Sequence, residues 1–527
     1  MRRLNMKIRS AVSRLIPVAV VAMALLFAAS ARAAVPGIKG PSFALTASDG
    51  LTTQPDGAMI YSWGYGCTAS TPVVLGPVTG LSCLGMQIPG PTLIVNEGDT
   101  VTVTLTNNLP KGAGNTSLLF PGFQVCLGVI SAAGVCGPPA SGNGVAGLLA
   151  QEAAPGGSVT YTFVASTPGT HSYYSGTQAD LQIEMGLYGA LVVLPKATVT
   201  CTKNANSGDA FTLASSAYDT LASCYDREYL FQFAEMDPKI HRQVETQVQA
   251  IASCGAAATC PTSLTVATEP YHPAYFLING RSMPDDMDSN FAPPYPHQPY
   301  NGNPHMHPGD QVLLRVIGVG RWQHPFHEHG NHVRILGRDG NIILSQNDPT
   351  KLAGPLLFTT TTTPGVAFDG IFYWSGRGLN WDVYGHKPAD ATCIPDVNGY
   401  YTQASNPPAP LNAPNYYEWC ADHGKGLEKA PFGTVAGGGP ATLPDPLILT
   451  NGLWYGGSPY LGPVATANAA GPTPLPPSAS PENPSAGFAF MWHSHNEREI
   501  TTNDAFPGGM MMMMIVDAPY IKINELL

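Results

Sequence analysis

Short runs of strict alternation recur along the chain. In TVTVTLT, residues 100–106, Val101, Val103 and Leu105 share one face, and in SVTYTF, residues 158–163, Val159, Tyr161 and Phe163 do the same. A period of two sends successive side chains to opposite sides of a strand, so these runs predict half-buried β-strands. Apolar spacing at the helical period is scarce. The 57 glycines and 50 prolines supply frequent turns. Short strands punctuated by turns predict an all-β chain built of sandwiches.

The pattern also repeats. NEGDTVTVTLTNN, then TSLLFPG, then PGTHSYYSGTQADLQIEMGLYGALVVLP is followed by a second copy: HPGDQVLLRVIGVG, HPFHEHG and AFMWHSHNEREITTNDAFPGGMMMMMIVDAP. Gly98-Asp99 matches Gly309-Asp310, Gly122 matches Gly330, and Gly189 and Gly509 each precede an apolar strand. Self-similarity of this kind predicts two sandwiches of one design in tandem. The boundary is expected near residue 198, giving a first domain over 34–198 and a second over 199–527. The second carries a long insertion over about 345–488, where TPLPPSASPENPSAG reads as a surface excursion.

The alignment exposes an asymmetry. Where the second copy has His327 and His329, the first has Leu119 and Pro121; where the second has His493 and His495, the first has Tyr174 and Gly176. Residues two apart on a strand face one way, so each His-x-His unit can offer both imidazoles to one metal ion, and two such strands side by side supply four nitrogens. Four imidazoles suit copper first and zinc second. His324 and the pair His305 and His307 are further candidates, although the last two precede Pro308-Gly309 and equally fit a strand entrance. The acids Glu328, Glu497, Glu499 and Asp504 lie close in sequence; each could relay protons or simply be solvated.

Composition narrows the setting. Residues 1–33 run from a basic start through an apolar stretch to Ala31-Arg32-Ala33, the form of a secretory signal peptide, which predicts a periplasmic or secreted protein. That segment carries six basic residues and no acid, so its removal leaves 19 basic against 36 acidic residues, a net charge of −17. Such a charge speaks against nucleic acid and favours metal ions or small molecules as partners. No later stretch is apolar enough to span a bilayer. Ten cysteines, at 67, 83, 126, 136, 201, 224, 254, 260, 393 and 420, fall in sequence-local pairs that suit disulfides, with connectivity left open. Met510 to Met514 alternate sides of a strand and read as core, with Met510 the candidate soft copper ligand.

HPFHEHG resembles the H-P-x-H-L-H-G motif of multicopper oxidases. GPTLIVNEGDTVTVTLTNNLP resembles the opening of their first cupredoxin domain, PGTHSYYSG…GLYGALVV its closing motif, and YFLINGRSMPD the F-x-I-N-G start of a later domain. The resemblance implies tandem cupredoxin-like Greek-key sandwiches. It implies copper, dioxygen as oxidant, and a metal ion or small molecule as reductant. By position, His327 resembles a type 2 copper ligand, His329, His493 and His495 resemble type 3 ligands, and His324 a type 1 ligand. The chain departs from the family at Ser494, where the type 1 cysteine belongs, at Glu499, where its second histidine belongs, and in the first domain, which lacks both His-x-His motifs. Ser494 reads as the ordinary spacer of a His-Ser-His motif. The implied activity is a copper-dependent oxidoreductase, with a non-catalytic copper-binding or storage protein as the alternative. Trimerisation or a partner protein could complete a larger cluster.

Overall fold

The computed structural model describes residues 35–375 with breaks at 76–77, 132, 197–198, 203–214 and 255–258, and then 394–410, 419, 457–460, 487–517, 523–524 and 526. The expected signal segment lies outside these residues, as do Cys393, Cys420 and most of the expected insertion.

The described chain is built mainly of strands, in four principal sheets. Two of four strands form the first sandwich. One orders Ile38–Lys39, Leu93–Asn96, Tyr188–Leu194 and Gly169–Tyr174; the other orders Met59–Cys67, Ser42–Thr53, Thr100–Asn107 and Ser158–Val164. Val101, Val103 and Leu105 face Leu93, Val95, Leu191 and Val193 across a core closed by Trp63 and Tyr173. Alternation along Thr100–Asn107 holds residue by residue, and burying each of its apolar side chains contributes roughly 1.5–3 kcal/mol.

The second sandwich is larger. Its seven-stranded sheet runs from Tyr275–Ile278 through Arg227–Met236, Gln311–Gly318, Ala367–Tyr373 and Val333–Arg338 to Asn341–Ile342, with Leu356–Leu357 also paired to Val333–Arg338. Its six-stranded sheet orders His305–Met306, Met511–Val516, Gly487–Ser494, His324–Glu328 and Thr359–Thr362, with Gly457–Tyr460 also paired to Gly487–Ser494. Phe326, Phe490, Trp492, Met510, Met512 and Met514 point from this sheet into the core. Among the described residues no strand pairing crosses residue 198.

The repeat has a physical basis. Gly98 and Gly309 take φ values of 88° and 85°, and the next amide in each copy, Asp99 or Asp310, closes the turn onto a carbonyl three residues back. Only glycine reaches that conformation without strain. Gly122 and Gly330 are likewise left-handed. Asp369 joins the sandwiches, accepting from Thr170 Oγ1 at 2.5 Å and Tyr218 Oη at 2.7 Å.

The longest helix among the described residues escapes a strand-only reading. Helix Pro238–Cys254 starts where the Asp237 carboxylate accepts the Lys239 amide at 2.9 Å, an N-terminal cap. Ile240, Val244 and Ile251 form its buried stripe, and Ile240 and Val244 enter the first sandwich's core. Among the described residues four disulfides join Cys67–Cys83, Cys126–Cys136, Cys201–Cys224 and Cys254–Cys260.

Candidate metal centre

Strands His324–Glu328 and Gly487–Ser494 lie antiparallel, with His327 opposite His493 and Phe326 opposite Ser494. Because directly opposite residues share a face, this register sorts the side chains into two groups. His327 and His493 stand on the face away from the core. Phe326, His324 and Ser494 stand on the other.

On the first face, ligand nitrogens of His327, His329 and His493 all lie within 4.8 Å of one another. His493 Nε2 and His329 Nε2 are 3.2 Å apart. Two imidazole nitrogens bound to one ion at roughly 2.0–2.1 Å stand about 3–3.4 Å apart, so His329 and His493 already stand at the spacing of a shared metal. The His495 ring centre is 4.8 Å from that of His327, and its side chain is half exposed, which makes it the open side of the group. His327 Nδ1 meets Thr359 Oγ1 at 2.6 Å and His493 Nδ1 meets the Ser494 carbonyl at 2.7 Å, so the Nε2 atom of each ring is turned to the group. Burial, reinforced by the three neighbouring imidazoles, pushes the His327 pKa down to about 3. Burial also lowers that of His493. Both rings are therefore neutral at ordinary pH, the state a metal ligand requires.

On the second face, His324 donates from Nδ1 to Glu499 Oε2 at 2.9 Å and from Nε2 to Glu235 Oε2 at 3.0 Å, with all three side chains fully buried. Burial works against the imidazolium, but the hydrogen bonds and charges of the two carboxylates outweigh it and hold the pKa up at about 9. Ser494 Oγ donates to Glu499 Oε2 at 2.5 Å. The chain extends through Tyr271, whose hydroxyl donates to Glu184 at 2.7 Å and lies 3.3 Å from Glu235. His324, with both ring nitrogens committed, stands apart from the first group.

The remaining expected residues are dispersed. His305 meets Asp517 at 2.6 Å, beside strand Met511–Val516, and His307 is buried near Asp310; neither joins the group of three. Glu497 lies 3.6 Å from His495, Asp504 pairs with Arg498, and the buried Glu328 accepts from Thr360 Oγ1 at 3.1 Å on the core side. Met510 is fully buried in the core, whereas Met511 stands opposite His493. Sequence reasoning missed Thr359 and Glu235. The run of five threonines from 359 to 363 signalled the first; nothing local signals a carboxylate that arrives from the opposite sheet.

The first repeat has the same frame without donors. Leu119 pairs with Tyr174 in antiparallel register, the relation that His327 has to His493.

Residues 76–198 match the family model described as multicopper oxidase. The multicopper oxidase MCE of Talaromyces pinophilus is 35% identical over 137 residues, 26% of this chain and 19% of that protein. The copper resistance protein A homolog of Pseudomonas syringae pv. tomato is 30% identical over 140 residues, 27% of this chain and 21% of that protein. The chain thus spans about a fifth of the length of these relatives. The crystal structure of a blue copper oxidase from Nitrosomonas europaea aligns over 90% of this chain and 85% of its own, with 15% identity and a TM-score of 0.43.

Proposed function

We propose, for this member of the multicopper oxidase family, a copper-dependent oxidoreductase that holds its metal on His327, His329 and His493, with His495 at the open side. The convergence of three imidazoles from two paired strands carries the reading. Copper suits this donor set because it leads the divalent affinity order at nitrogen sites; zinc is the second choice. Bound there, copper would supply one-electron chemistry between a metal ion or small reductant and dioxygen.

The protein's own part is to orient and to exclude. The strand pair fixes the rings in register, burial keeps His327 neutral, and the half-exposed His495 leaves an approach from solvent. Glu497, beside His495, is placed to take or return a proton at that approach. We read the basic and apolar opening of the chain as an export signal. No helix among the described residues is long and apolar enough to cross a membrane.

One observation favours a second reading, copper binding without turnover. Ser494 and His324 both donate hydrogen bonds to Glu499 where the family resemblance puts a type 1 copper, so electrons lack that entry.

Metal analysis and paramagnetic resonance of the purified protein test the site. At least one copper per chain is expected, lost in the His327→Ala, His493→Ala double variant; less than one, unchanged by the double substitution, sinks both readings. Oxygen uptake with Fe(II), Mn(II), Cu(I) or phenols then separates oxidase from carrier.

A further inference from the structure

We propose that Thr359 is the positioning residue of the metal centre, holding His327 in the tautomer whose Nε2 carries the lone pair. The inference rests on the reading that His327 is a metal ligand. Strand Thr359–Thr362 pairs antiparallel with His324–Glu328, and Thr359 falls directly opposite His327. Opposite residues project to one face, and the Thr359 hydroxyl meets His327 Nδ1 at 2.6 Å. A β-branched side chain in a strand has few rotamers, so the hydroxyl is set before any metal arrives.

The neighbouring threonines serve the other face. Thr360 donates to Glu328 Oε1 at 3.1 Å and Thr362 donates to the His324 carbonyl at 3.2 Å. The Thr359 contact is thus the member of this strand that reaches the cluster. A neutral imidazole has one N–H and one lone pair, and a hydroxyl can meet Nδ1 as acceptor or donor; a metal on Nε2 requires that Nδ1–H be the donor. When Nδ1–H donates to Thr359 Oγ1, Nε2 carries the lone pair that binds metal, and it faces His329 and His493. Reversing that bond would put a hydrogen on Nε2 and close the site. The His493 ring is set instead by a main-chain carbonyl, which no substitution removes.

The test uses the whole protein with Thr359→Val, which keeps shape and strand preference, and Thr359→Ser, which keeps the hydroxyl. Nitrogen NMR of the metal-free protein reads the His327 tautomer. Nδ1–H is expected in the wild type and in Thr359→Ser, and a mixture or the reverse in Thr359→Val. Copper affinity, measured by chelator competition, is expected to fall by roughly 10–100-fold in Thr359→Val and to recover in Thr359→Ser. An Nε2–H tautomer in the wild type overturns the proposal. So does an unchanged tautomer in Thr359→Val, or a Thr359→Ser protein that behaves like the valine variant at unchanged thermal stability. If the tautomers follow expectation but no variant or wild type binds copper, Thr359 still positions His327 and the copper reading fails alone.

Discussion

His327 stands directly opposite His493 in antiparallel register, and Leu119 stands in the same relation to Tyr174 in the first repeat. One backbone frame occurs twice, loaded with imidazoles in one copy and with packing residues in the other. The copies differ in chemistry because side chains on a face away from the core can change while the pairing that holds the strands is kept.

The three histidines at the centre of the loaded frame should not be equivalent to the fourth. His327→Ala, His329→Ala or His493→Ala each removes a nitrogen within 4.8 Å of the other two, whereas the half-exposed His495 flanks them. Isothermal titration with copper is expected to show each of the first three losing more than about 100-fold in affinity, beyond the loss typical of an outer hydrogen-bond partner. His495→Ala should lose no more than about tenfold on the same scale. Equal losses at all four positions would mean a larger, four-ligand centre.

Placing a cysteine at position 494 should not create a blue site. Ser494 Oγ lies on the face of His324, where Glu499 takes hydrogen bonds from both. Blue copper sites need one thiolate and two imidazoles, and among the described residues this face offers only His324. Ser494→Cys is therefore expected to give copper-loaded protein without an intense visible thiolate-to-copper band. Ser494→Cys combined with Glu499→His has the full donor set and serves as the comparison. An intense blue band in the single variant would mean that His324 leaves its carboxylates readily.

Strand parity explains what was legible in the sequence. His327 and His329 are two apart, as are His493 and His495, so both pairs announce a shared face without any tertiary information. The same rule separates His324 from His327, three residues on, and Ser494 from its flanking histidines. That parity sets His324 apart from the His327 group, as the separate type 1 position given by the family resemblance requires. The sandwich architecture was legible for the same reason, since alternation in Thr100–Asn107 and Ser158–Val164 translates directly into buried and exposed faces. Glu235 was not legible. It reaches His324 from strand Arg227–Met236 of the opposite sheet, and sheet-to-sheet packing leaves no periodic trace in either segment.

The methionine run divides by face, which gives a stability test. Met512 is fully buried opposite Trp492, whereas Met513 is only partly buried. Met512→Ala should cost about 2–5 kcal/mol, the range for a large side chain removed from a packed core. Met513→Ala should cost less than about half of that. Denaturant unfolding of metal-free protein reads both. A Met512→Ala variant of native stability that loses copper instead would assign that sulfur to the metal.

Stability should fall as pH rises above neutrality, and His324 should carry much of the change. Its two carboxylate partners hold its folded pKa at about 9, above the ordinary value of 6.5. Below pH 6.5 the imidazole is charged in both folded and unfolded chains, and the native contacts with Glu235 and Glu499 contribute in full. Between pH 6.5 and 9 the unfolded chain has released this proton and the folded chain has not, so stability declines with pH; above 9 the contribution is gone. A displacement of this size corresponds to on the order of 3 kcal/mol. Glu184 adds to the trend. Burial holds its pKa up at about 8, so the folded state keeps a proton that the unfolded chain loses from about pH 4.5, and its contribution declines over pH 4.5–8. Denaturant unfolding of the metal-free protein at pH 6.5 and 9.5 should therefore show a loss of roughly 5 kcal/mol, about 3 from His324 and about 2 from Glu184, and His324→Gln should remove the larger share while lowering stability at the acid end. A wild type that is equally stable at both values, or a glutamine variant with the full slope, would show that the buried imidazole is neutral and its carboxylate contacts are made without the charge.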